Sequence, residues 1–201
     1  SGVRTQAQLQ ALVDSVNARL LGVISQFAQA NSGTAPTVAD FARAGISGVD
    51  SLNIFAVNSA LASAAITGTS VDTVAKAQTL VDSFRTILAE ANGLTADATP
   101  AQDPTAQDYR NIGATNAANL DARGLELLND VIGDLPFYAV DSVSEIEALA
   151  QSVGKIMALA NDQTPTSDLT IQDMQALGIT GVTSSQLPFF TALLQSAGIT
   201  A

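Results

Sequence analysis

The chain has 201 residues, a hydrophobic fraction of 47%, no cysteine, no histidine, and a formal charge of −11 from eight basic and nineteen acidic side chains. The missing residue types exclude disulfides, thiolate nucleophiles, Cys/His zinc sites and the commonest general base at neutral pH. The acidic balance repels phosphate backbones and anionic lipid, so neither nucleic acid nor membrane insertion is expected.

With tryptophan absent and only two tyrosines and seven phenylalanines, the apolar content is almost all Ala, Leu, Val and Ile. Such small side chains suit thin, tightly packed helical bundles. Ser1-Gly2 reads as a cloning scar, and the chain as a piece of something longer.

In chain order, apolar positions at helical spacing (Leu9, Leu12, Val13, Val16, Leu20) predict a first long helix over 5–30. After a Thr/Pro-rich loop at 31–36, Thr37-Val-Ala-Asp40 has the spacing of a capping box with Asp in place of Glu, and Gly45 stops the helix it opens after about two turns. A further helix over 51–66, capped by Asp50 or Ser51, follows the turn at Gly48. The sequence then repeats the series. A long helix over 71–91 opens at Thr69-Ser-Val-Asp72 and reuses Leu-Val-Asp-Ser, found at 12–15, at 80–83. The loop 93–104 leads to Thr105-Ala-Gln-Asp108, Gly113 and a helix over 119–132 with Asn119 as its cap. The third series has a long helix over 143–160 opened by Ser142 and Glu145, then Thr170-Ile-Gln-Asp173, Gly178, Gly181 and a helix over 185–197 capped by Ser184, with Pro188 in its first turn.

The first and third series match without a gap at a spacing of 133 residues, from Thr37 against Thr170 as far as Thr67 against Thr200. In the middle copy the second glycine becomes Asn116, which is expected to keep the same left-handed turn. The fold expected is all-α: tandem three-helix-bundle repeats, about nine helices, set end to end as an elongated rod of about 90 to 100 Å. Whole units result at 1–68, 69–138 and 139–201 if the long helix comes first; the other phase leaves a lone helix at one end.

The Gly-Ile-Ser/Thr-Gly-Val turns at 45–49 and 178–182, with the preceding Thr-x-x-Asp and the following helix, resemble tandem repeats of very large, repetitive surface proteins and biofilm-type adhesins of Gram-negative bacteria. The resemblance implies a secreted or cell-surface location and an array that extends a terminal binding domain away from the cell.

No residue qualifies as catalytic, cofactor-binding or metal-ligating. Asp141, Glu145 and Glu147 form the densest acidic cluster but sit where acids favour a helix N-terminus. Asp97 and Asp103 lack the alternating oxygen ligands of a calcium loop. Lys76 and Lys155 are read as exposed helix residues, and Phe41, Tyr109 and Met174, at one position of the short helix, as core plugs. Phe137-Tyr138 and Phe189-Phe190 are adjacent aromatics that cannot both face one interior; one of each pair is expected to mark a contact between units or an exposed adhesive patch. The function expected is a structural extender, not an enzyme, needing no cofactor, monomeric, and partnered by neighbouring repeats of its own polypeptide. The alternative is a helical module that binds a host protein or glycan.

Overall fold

The computed structural model describes residues 5–93 and 103–196. Within them lie ten α-helices and no strand: α1 Gln6–Ala30, α2 Val38–Arg43, α3 Ile54–Leu61, α4 Val74–Glu90, α5 Ala106–Asn111, α6 Thr115–Ala118, α7 Ala122–Gly133, α8 Val143–Ala160, α9 Ile171–Ala176 and α10 Leu187–Ser196. Two 3₁₀ turns, Gly68–Ser70 and Phe137–Ala139, precede α4 and α8.

The all-helical expectation holds, and its punctuation works as hydrogen-bond chemistry. Each short helix, α2, α5 and α9, opens with a complete capping box. In the first, the Thr37 backbone N–H donates to the Asp40 carboxylate at 2.9 Å, while the Asp40 N–H donates to Thr37 Oγ1 at 3.3 Å. The second box repeats those distances at Thr105 and Asp108. The shorter Asp serves because the threonine hydroxyl also donates to it, at 2.6 Å in both. Gly45, Gly113 and Gly178 end the three helices at φ of +80°, +83° and +73°, a region open to glycine because it has no Cβ.

Four local expectations are corrected. Asn116 does not adopt positive φ; it lies inside α6, a four-residue helix with no counterpart in the other copies. The box at Thr69 and Asp72 does not form; Thr73 caps α4 by accepting from the Lys76 N–H, and Asp72 instead pairs with Lys76 at 2.7 Å. Asn119 and Ser184 are not caps, since the side chain of Asp121 caps α7, accepting from the Gly124 N–H at 2.8 Å, and Thr183 pairs with Gln186 ahead of α10. Asp50, the first copy's candidate, accepts from the Leu52 and Asn53 N–H groups. Residues 197–200 of the repeat match lie outside the described residues.

Phe41, Tyr109 and Met174 are all at most 1% exposed, as core plugs must be. Their surroundings do not divide at 68 and 138. One apolar cluster runs from Leu21 to Leu177, drawing on α1 through α8, while Leu159, Leu169, Met174 and Leu194 form a small second one under α9 and α10. α8 is the hub: it packs on α6, α7, α9 and α10 and also reaches α3.

Candidate functional site

Among the described residues, Lys155, Glu145, Glu147 and Tyr109 each make structural contacts. Lys155, read from sequence as an exposed helix residue, is partly buried: its ammonium reaches both Asp173 oxygens at 2.9 and 2.8 Å. Ser152 Oγ donates to the same carboxylate at 2.9 Å and Thr170 adds its N–H and hydroxyl. Burial pushes the Asp173 carboxyl up, but the hydrogen bonds from Lys155, Thr170 and Ser152 outweigh it and hold the group at about 2. A serine and a lysine meet here, and both are directed at the Asp173 carboxylate rather than at each other. The arrangement braces a helix cap.

The acidic cluster is also dispersed. Glu145 closes the Ser142 capping box. Glu147 turns to another copy, while burial and the neighbouring Glu145 raise the Asp141 carboxyl above its ordinary value. Tyr109 is sealed in the core, donating to Asn129 Oδ1 at 2.7 Å, and burial drives its phenol far above the usual range. Asp97 lies outside the described residues, and among the described residues no three His, Cys, Asp or Glu side chains gather to hold a metal ion.

What the structure does bring together is contacts between copies, and they recur. Five residues after the cap Thr73, Gln78 accepts from the Ser47 N–H at 2.8 Å and donates to the Ser47 carbonyl at 3.1 Å. Five residues after the cap Ser142, Glu147 accepts from the Asn116 N–H at 3.0 Å and from the Thr115 hydroxyl at 3.3 Å. In both, the long helix of one copy clasps the turn after the short helix of the copy before it. The second clasp accounts for α6: a full carboxylate at Asn116 N–H satisfies the orphan donors of a helix start, where the first copy has the amide of Gln78. The spacing of Gln78 and Glu147 from their caps was a signal present in the sequence, but it had no meaning until the facing turns were known.

The 3₁₀ turns repeat a contact made within a copy. Gly68 lies against α1, its N–H donating to Gln29 at 3.2 Å, and the turn carrying Phe137 lies against α4. The residues that close the two turns, Val71 and Val140, are fully buried with nearly superposable backbones, φ −135° and −138°. Phe137, half-exposed, borders an apolar depression of about 360 Å³ together with Leu52, Asn53, Arg85 and Leu88. Tyr138 stacks edge-on against Phe137 at 5.9 Å and points out. The second aromatic pair splits likewise: Phe190 packs on the small cluster, whereas Phe189 is exposed.

No protein-family model, curated protein or solved structure matches the chain.

Proposed function

We propose that the chain is a non-catalytic spacer segment of a secreted or cell-surface bacterial protein, built of three helical units at 1–68, 69–138 and 139–201. The observation that carries this reading is the repeated clasp. Gln78 and Glu147, at one position of successive long helices, each grip the turn of the preceding copy. A joint that recurs at a fixed register sets a fixed spacing, which is the mechanical property a spacer needs. Ser152 and Lys155 both bond the Asp173 carboxylate of a helix cap. The hydrogen bond from the Val143 N–H to Ser59 Oγ adds a tie between the third unit and the first.

Small-angle scattering tests the reading. A compact domain of 201 residues has a radius of gyration of about 17 Å; the spacer predicts a clearly larger value with an elongated distance distribution, and a compact value overturns it. A second reading, a binding module for a host protein or glycan, is favoured by Leu52, Phe55 and Tyr138, which are 72%, 62% and 66% exposed. Saturable binding on a glycan array or to host-surface protein, lost in Leu52→Ser/Phe55→Ser, would establish it in place of the spacer.

A further inference from the structure

The two clasps differ in what stands beside them, and the difference leaves the first one open. Gly154 follows Glu147 by seven residues on α8, and Arg85 follows Gln78 by seven on α4. At the second clasp the space over the glycine is taken from the preceding copy's side. Leu120, two residues before α7, brings its Cδ2 to 3.9 Å from where a Cβ on Gly154 would stand, and packs on the main cluster. At the first clasp Leu52, two residues before α3, shares its surroundings with Arg85 and is 72% exposed. The depression of about 360 Å³ lies there, lined also by Leu88, Ala89, Ala91 and Phe137. A hollow of that size falls in the range that holds a small ligand.

Arg85 is the lining group equipped to meet a polar ligand atom. Its guanidinium lies over Gly48, where a Cβ would stand 2.8 Å from Nη1 and 3.1 Å from Cδ, so a side chain at 48 would displace it. Its ion pair with Asp82 is long, at 3.7 Å, with both side chains more than half exposed, and it makes no hydrogen bond among the described residues. The neighbouring acids are turned elsewhere. Asp82 accepts from Gln78 Nε2 at 2.9 Å, and Asp50 accepts from the Leu52 and Asn53 N–H groups at 2.8 and 3.1 Å. Asn53 uses both ends of its amide, accepting from the Asp50 N–H and donating to the Gly48 carbonyl. A planar fork of unused donors at the edge of an apolar hollow matches one carboxylate on an apolar body. Asp50 and Asp82 nearby disfavour a second negative charge on that body.

We infer that this depression is a binding site for a small apolar monocarboxylate, its carboxylate gripped by the Arg85 guanidinium and its apolar body laid on Leu52, Leu88 and Phe137. A free acyl chain and the C-terminal end of a peptide with an apolar last residue share this chemistry. The site belongs to one clasp rather than to the stacking of units, so it stands apart from the spacer reading.

Titration of the full chain with octanoate and with N-acetyl-leucylleucine, followed by calorimetry and backbone amide shifts, tests it against octanol and the C-terminal amide of the same dipeptide. Saturable binding of a carboxylate at one site is expected, with shifts centred on Gly48, Leu52, Leu88 and Phe137, and the tighter of the two identifies the source. Loss of the charge-assisted hydrogen bonds should weaken binding about tenfold, both for the uncharged analogues and for the carboxylate on Arg85→Met. Leu52→Glu, which sets a competing carboxylate on the rim and keeps Arg85, should weaken it likewise. Both substituted side chains are more than half exposed, and unchanged circular dichroism checks the fold. The absence of saturable binding by either carboxylate at millimolar concentration overturns the proposal. So does equal binding of the uncharged analogues, indifference to Arg85→Met, or a set of shifts elsewhere on the chain. A failed titration leaves the scattering prediction for the spacer intact, and a compact scattering profile leaves the site intact.

Discussion

At residues 37–40 and 170–173 the chain builds the same helix cap in two different surroundings. The backbone hydrogen bonds match within 0.2 Å. Yet the Arg43 partner of Asp40 is 64% exposed, while Lys155 and Asp173 have side chains only 13% and 11% exposed. The first cap stands beside the large cluster, and the third helps to hold α9 and α10 over a core of four buried residues. The lesson is that the motif fixes geometry while burial fixes energetic weight. An exposed ion pair contributes at most about 1 kcal/mol, whereas removing one partner of a buried pair strands the other.

That difference breaks most readily at Asp173. Asp173→Asn leaves the partly buried Lys155 ammonium without its counter-charge and is expected to cost about 3 kcal/mol in urea unfolding; Asp40→Asn should cost a small fraction of that, and equal losses would refute the distinction. The glycines offer a second contrast of the same kind. Gly113→Ala must hold positive φ and push aside Ser63 Oγ, so a loss of about 2 to 3 kcal/mol is expected. Gly45→Ala pays for φ alone, about 1 kcal/mol.

Acid sharpens the comparison next. Asp173 is held at about 2 in the folded chain against an ordinary 3.8. Its stabilisation is therefore complete above 3.8 and disappears as pH falls towards 2, a loss of about 2 kcal/mol between pH 5 and pH 2. Asp40 is also lowered, first by the Thr37 hydroxyl, but in solvent. Unfolding titrations should accordingly lose much of their acid slope in Asp173→Asn and keep it in Asp40→Asn. The smallest effect is at the cap itself, where Thr37→Ala should cost about 1 kcal/mol, measurable as a shift in the thermal midpoint.

The long and short helices, their three threonine caps and the glycine stops were legible in the sequence because each depends on hydrogen bonds within a few residues. So was the burial of Phe41, Tyr109 and Met174, one apolar residue at one turn position. What was hidden is non-local. Asn116 looked like a glycine substitute until Glu147, 31 residues away, gave its N–H a carboxylate. Lys155 looked like a surface residue until Asp173 came to meet it. The start of α7 was misplaced because Asp121 and Asn119 are both good caps, and Asn119 instead ends α6. The shared cluster beneath three sequence copies follows from the α3 to α8 contact, which no periodicity encodes.

The central claim, that copies joined through a repeated clasp hold a fixed spacing, is tested most directly by a distance between equivalent points. The chain has no native cysteine, so Ala42→Cys/Gln175→Cys places one spin label on α2 and one on α9, at matching exposed sites. Pulsed dipolar spectroscopy is predicted to return a single narrow distance distribution that broadens when Gln78 and Glu147 are replaced by alanine. A broad or multi-peaked distribution in the unmodified background would mean that the copies move independently, and would contradict the account.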